Sequence, residues 1–139
     1  MYRSGVISSL LSRASALVLL LGGVALLFAA DDVLPALVPG FPPAAAWLGQ
    51  LVAAAWLGVA AMNWLQRSAR LGGIYGRPAV VANLALYFIS AASLLRALLG
   101  GAAPRGMWLV LVPAAVLAAT YGALLLRGPF DAMPGPTTS

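Results

Sequence analysis

Residues 44–65 read AAAWLGQLVAAAWLGVAAMNWL, 22 positions without a charged side chain. As an α-helix rising about 1.5 Å per residue, this run covers the roughly 30 Å hydrocarbon thickness of a bilayer. No water is available inside lipid to satisfy backbone N–H and C=O groups, so a spanning run of this length is read as helix. Ala45, Gly49 and Ala53 recur at four-residue spacing, as do Ala54 and Gly58. Apolar burial does not draw helices together inside lipid; rows of small residues do, by letting backbones approach closely.

Three more runs of the same kind flank this one. The first covers 7–30, with Arg3 and Arg13 ahead of its most apolar part. A positive start and an apolar middle also mark a signal peptide. Phe28 fits the small-residue cleavage rule poorly, so an uncleaved transmembrane helix is expected. The third run, 79–99, begins just after Pro78, which suits a first helical turn. Arg96 lies near enough to its far end to snorkel, and Gly100 and Gly101 stop it. The fourth, 107–126, carries Pro113 in its second turn, which predicts a bend. It also carries two small-residue rows, Ala114–Ala118–Gly122 and Ala115–Ala119–Ala123. Between the first two runs, Asp31 and Asp32 mark a water boundary, and Pro35, Pro39, Pro42 and Pro43 predict an interfacial loop over 31–43 rather than a helix.

Composition agrees with this layout and excludes several functions. The chain has 139 residues, 63% hydrophobic and 8% charged, whereas soluble domains carry about 25% charged residues. It contains no His, Cys, Glu or Lys. That removes the imidazole and thiol metal ligands, the thiolate nucleophile and the usual general base. The carboxylates, Asp31, Asp32 and Asp131, lie outside the apolar runs. An ion-coupled pump normally keeps an ionisable group inside the membrane. No enzyme, cofactor or metal is therefore expected. Net charge is +5, carried by eight arginines spread between the spans. Anionic lipid headgroups suit such a distribution better than nucleic acid, which needs a water-facing basic surface.

The arginines also orient the spans. With the N-terminus inside, Arg3, Arg13, Arg67, Arg70, Arg77 and Arg127 are cytoplasmic, and Arg96 and Arg105 lie opposite with the Asp31–Asp32 pair. This is a positive-inside pattern. Trp47 and Trp108 then mark one interface and Trp64 the other.

The stretch 62–83, MNWLQRSARLGGIYGRPAVVAN, joins the second and third spans and is the place where chemistry could gather. Helical spacing puts Gly49, Trp56, Ala60, Asn63, Arg67 and Arg70 on one face. Trp56 lies mid-membrane, away from the interfacial belts, and a buried indole seeks an acceptor, so this face should turn into the protein. Asn83, Tyr87 and Ser90 form a matching stripe on the third span. The depths of Asn63 and Asn83 differ by about 4–5 Å at helical rise, so the two should meet. As polar glue such a pair is worth about 0.6 kcal/mol, and at most about 2. Gly72 or Gly73 can end the second helix. Tyr75 is an interfacial aromatic, and Arg77, ahead of proline, should be extended. Cytoplasmic arginines outnumber the one acid on their side, so lipid phosphates are the readiest counter-ions, at roughly 1 kcal/mol each. The sharper alternative is a lipid-headgroup or anion pocket formed by Asn63, Arg67, Arg70, Tyr75, Arg77, Asn83 and Tyr87.

Asn63-Trp64, Gly72-Gly73-Ile74-Tyr75-Gly76-Arg77-Pro78 and Asn83 together resemble a block shared by small, uncharacterised bacterial integral membrane proteins with four spans. The resemblance covers about 22 residues and implies no activity. Other four-span families lack their required residue here. The first span has no carboxylate for a small multidrug exporter, and the third has no Thr/Ser/Phe run for a fluoride channel. There are no cysteines for a quinone-linked thiol oxidoreductase and no histidines for a b-type cytochrome.

The expectation is an all-α integral membrane four-helix bundle of up-down topology over 1–127, both termini inside, with a disordered tail at 128–139. It is expected in a bacterial cytoplasmic membrane as a non-enzymatic structural or accessory subunit, associating with itself or a larger complex. The alternative is a binder or carrier of a lipid or amphipathic anion between the second and third helices.

Overall fold

A computed structural model describes residues 3–68 and 76–127, and the side chains of 9–68 and 76–126. It contains four α-helices: α1 (Arg3–Leu37), α2 (Trp47–Leu65), α3 (Arg77–Leu99) and α4 (Trp108–Arg127). Short 3-10 turns, Pro43–Ala45 and Arg105–Met107, precede α2 and α4. No strand occurs among the described residues. All four helices are long and apolar enough to cross a membrane. Large apolar side chains such as Leu21, Phe28, Leu65, Leu109 and Leu126 stand exposed on their outer faces. The tail at 128–139 lies outside the described residues.

Several helix ends differ from the sequence expectation. The helix expected to stop at Ala30 runs on to Leu37, through Asp31, Asp32 and Pro35. The backbone breaks instead at Ala29, with φ −132° and ψ 29°. One proline removes one N–H donor and disturbs only the turn before it. The carbonyl that loses its donor belongs to Asp31, an exposed residue. Pro39, Pro42 and Pro43 do lie outside α1, on either side of Gly40 (φ +80°). The second helix begins at Trp47, not Ala44, because residues 43–45 form the 3-10 turn. The third begins at Arg77, two residues early, so Arg77 opens a helix rather than lying extended. The constraint on a pre-proline residue is a bias; here the Val80 N–H bonds back to the Gly76 carbonyl at 3.1 Å and closes the first turn. The fourth runs unbroken through Pro113 from Trp108 to Arg127.

Gly101, at φ +70°, ends α3 with a pair of back-bonds. Ala102 N–H donates to the Ala97 carbonyl at 2.8 Å and Gly101 N–H to Leu98 at 3.2 Å. This is the left-handed glycine cap that relieves unsatisfied carbonyls at a helix end.

The helices pair as two antiparallel hairpins, α1–α2 and α3–α4. Small residues set the first pairing. A Cβ at Gly22 would lie 2.6 Å from Cζ3 of Trp56, and one at Gly23 would lie 2.9 Å from Cγ of Leu57. At the other end of the hairpin, a Cβ on Gly49 would meet Leu34 Cδ1 at 2.8 Å and Ala30 Cβ at 3.1 Å. The extension of α1 beyond Ala30 thus supplies Leu34 as the partner of Gly49. Of the two small rows on α2, only the one holding Gly49 and Ala53 is buried; Ala54 and Gly58 face outward. In α4, Ala114 and Ala118 are buried, while Ala115 and Ala119 are exposed. Between hairpins the backbones stand farther apart, and side chains bridge the gap.

Candidate functional site

Hydroxyls and amides are costly to bury in an apolar bundle unless they pair. Among the described residues the buried polar side chains are Ser12, Ser15, Asn63 and Asn83. They gather at the end of the bundle where α1 and α3 begin and α2 and α4 finish. Tyr87 and Tyr121, both buried, complete the layer from α3 and α4. Each residue projects from a helix at a position its period turns inward.

Asn63 and Asn83 meet across the α2–α3 seam as a reciprocal amide pair. Asn63 Nδ2 donates to Asn83 Oδ1 at 2.8 Å, and Asn83 Nδ2 donates to Asn63 Oδ1 at 2.6 Å. Asn83 Nδ2 makes a second bond, to the Ala79 carbonyl at 2.8 Å, within its own helix. The two side chains are 1% and 0% exposed. Across the α1–α4 seam, Ser15 Oγ and the Tyr121 hydroxyl lie 2.9 Å apart. The Tyr121 and Tyr87 rings stack at 6.0 Å between centroids and 11° between planes. The hydroxyls of Ser12 and Tyr87 and Oε1 of Gln66 are buried without a hydrogen-bond partner.

The structure gathers only part of the expected pocket. Asn63, Asn83 and Tyr87 are together and buried, and Ser90 is half-buried one turn further along α3. On α2 the inward stripe of Gly49, Ala60 and Asn63 is buried with Trp56 half-buried, and it ends there. The helix stops at Leu65, so Arg67 leaves the stripe. Its Nη1 donates to the Trp64 carbonyl at 2.7 Å, and its guanidinium lies 4.7 Å from the centroid of the exposed Trp64 ring. Arg77 is exposed on α3. Arg70 and Tyr75, with the glycines at 72 and 73, lie outside the described residues. An open anion pocket between α2 and α3 at the asparagines is not what the geometry gives. The two amides satisfy one another and close the seam.

Arg67 therefore contributes as a surface residue. Exposed cation–π and ion contacts are worth about 1 kcal/mol or less. Arg67→Ala is expected to shift unfolding stability by less than about 1 kcal/mol, measured by denaturation in mixed micelles. A larger loss would mean that Arg67 holds something besides Trp64.

Sequence reading missed Ser12, Ser15 and Tyr121. Their signal was the same one that found Asn83: polar side chains within long apolar runs, at inward helical spacing with Leu19 on α1 and Ala118 on α4. No protein-family model matches the chain, and no curated protein or solved structure matches it either.

Proposed function

We propose that the protein is a multi-pass subunit of a bacterial cytoplasmic membrane, with both termini inside, acting without catalysis by associating with itself or a larger membrane complex. One observation carries the reading. The α3–α4 hairpin leaves an open groove of about 550 Å³ whose floor includes Ala92, Ala115, Ala119 and Gly122. Small residues exposed in a row are what another helix needs for close backbone approach inside lipid. The buried polar groups support the same reading, because all are neutral and several already join helices. The arginine distribution supports the orientation, with Arg3, Arg13, Arg67, Arg70, Arg77 and Arg127 on one side and Arg96 and Arg105 on the other. A binder of amphipathic anions between α2 and α3 is less well supported, since Asn63 and Asn83 occupy one another.

The sequence has no cysteine, so a single introduced thiol reports one position. Ala119→Cys, on the groove, is expected to form an oxidative cross-link in native membranes, to a second copy or another protein. Leu21→Cys, on the exposed outer face of α1, should cross-link far less. Equal, background-level linking at both positions, with a strict monomer in mild detergent, would sink the proposal.

A further inference from the structure

Toward the end of the bundle where α1 begins, the α1–α2 hairpin opens outward into a groove of about 330 Å³. Ala16 and Ala60 are buried at its floor, and Leu17, Leu20, Ala61 and Trp64 are exposed along it. On α2 it extends from Leu57 to Trp64, about 10 Å at helical rise.

Two arginines stand at the Trp64 end of this groove. Gly23 packs against Leu57; ten residues before the one is Arg13, and ten after the other is Arg67. The antiparallel register therefore sets Arg13 and Arg67 level with one another to within about one turn. Arg13 is exposed and lies four and seven residues before Leu17 and Leu20, on the groove's own face of α1. Arg67 is held over the Trp64 ring, 4.7 Å from its centroid, with Nη1 donating to the Trp64 carbonyl at 2.7 Å. A guanidinium carries several N–H donors in a planar fork, so that bond leaves others for a second acceptor. Among the described residues the carboxylates are Asp31 and Asp32, and Asp31 lies about 27 Å from Arg13 along α1 at helical rise.

We infer that this groove binds an anionic phospholipid, its phosphate between Arg13 and Arg67 and one acyl chain laid along Leu17, Leu20, Leu57 and Ala61. An apolar groove in lipid accepts any acyl chain, so the groove alone selects nothing. Two cations level with each other at its mouth, far from the acids of the same helix, select a headgroup of net negative charge. Trp64 belongs to both parts, because its ring walls the groove and carries the Arg67 guanidinium. A free phosphate would meet the arginines but leave the groove unused. A zwitterionic lipid would fill the groove but bring another cation to the arginines. The site needs the chain to be embedded in lipid but needs no protein partner, so it stands or falls apart from the association proposed above.

Native mass spectrometry of the full chain in mild detergent reads retained lipid and oligomeric state together. Dioleoyl phosphatidylglycerol is expected to be retained at a roughly three- to tenfold lower concentration than dioleoyl phosphatidylcholine, the scale of two partly exposed charge contacts. Arg13→Gln combined with Arg67→Gln should abolish that preference. Arg96→Gln combined with Arg105→Gln removes the same charge from the opposite end of the bundle and should leave it intact. Ala61→Phe, in the groove, should weaken retention of both lipids, and excess inorganic phosphate should displace neither. Equal retention of the two lipids by the parent would overturn the inference. So would a preference that survives loss of Arg13 and Arg67, or one lost equally in both double variants, which would reflect net charge alone. Displacement by inorganic phosphate would also overturn it, reducing the site to the arginines.

Discussion

Gly22→Leu is expected to lower unfolding stability by about 3 kcal/mol, the upper end of the usual cost of overpacking. Two effects oppose each other at this site. Leucine favours helix over glycine by about 1 kcal/mol in water-based scales. Against that, even a Cβ at Gly22 would sit 2.6 and 2.9 Å from two ring atoms of Trp56. The indole is rigid, so it must move as a whole, and with it the α1–α2 contact on which the hairpin closes. The clash wins. Gly58→Leu on the neighbouring helix is the control, since a Cβ there meets nothing within 4 Å. With no clash to oppose it, it should raise stability by up to about 1 kcal/mol, the helix-propensity gain alone. Denaturant titration in mixed micelles measures both. Similar values for the two variants would show that Gly22 is not a packing notch.

Asn83→Ala should cost about 2 kcal/mol, and Asn63→Ala about 1, although both remove the same reciprocal pair. The asymmetry follows from the bonds left behind. Losing Asn83 leaves the buried Asn63 amide with no hydrogen-bond partner among the described residues. Losing Asn63 leaves Asn83 still bonded to the Ala79 carbonyl. The double alanine variant should lose less than the sum of the two, with a coupling of roughly 1 kcal/mol, because the second substitution removes a group already unpaired. Additive losses, or equal single losses, would contradict the pairing.

The four helices could be read directly from uncharged runs, because a run long and apolar enough to cross a membrane must satisfy its backbone internally and needs a set length. Helical period then placed Gly49, Trp56, Ala60 and Asn63 on one inward face, and the depth of Asn83 brought it to Asn63. The same period failed for Arg67, because it assumes a helix that continues, and α2 ends at Leu65. Proline counting failed for 31–37, since Pro35 interrupts one bond without ending a helix. Ser15 and Tyr121 are 106 residues apart in sequence, and no local pattern relates them. The notch at Gly22 and Gly23 was visible as a pair of glycines, but only the position of Trp56 gives it meaning.

The division into two hairpins also sets an order of assembly. Contacts between neighbouring helices close shorter loops than contacts between α1 and α4, and short loops close at lower entropic cost. The first hairpin is complete within residues 1–68, before the ribosome has made Asn83 or Tyr121. Until the second hairpin arrives, Ser15 lacks Tyr121 and Asn63 lacks Asn83, which in an apolar medium costs a few kcal/mol for each unpaired group. A chain arrested midway thus displays a polar stripe that the finished protein conceals.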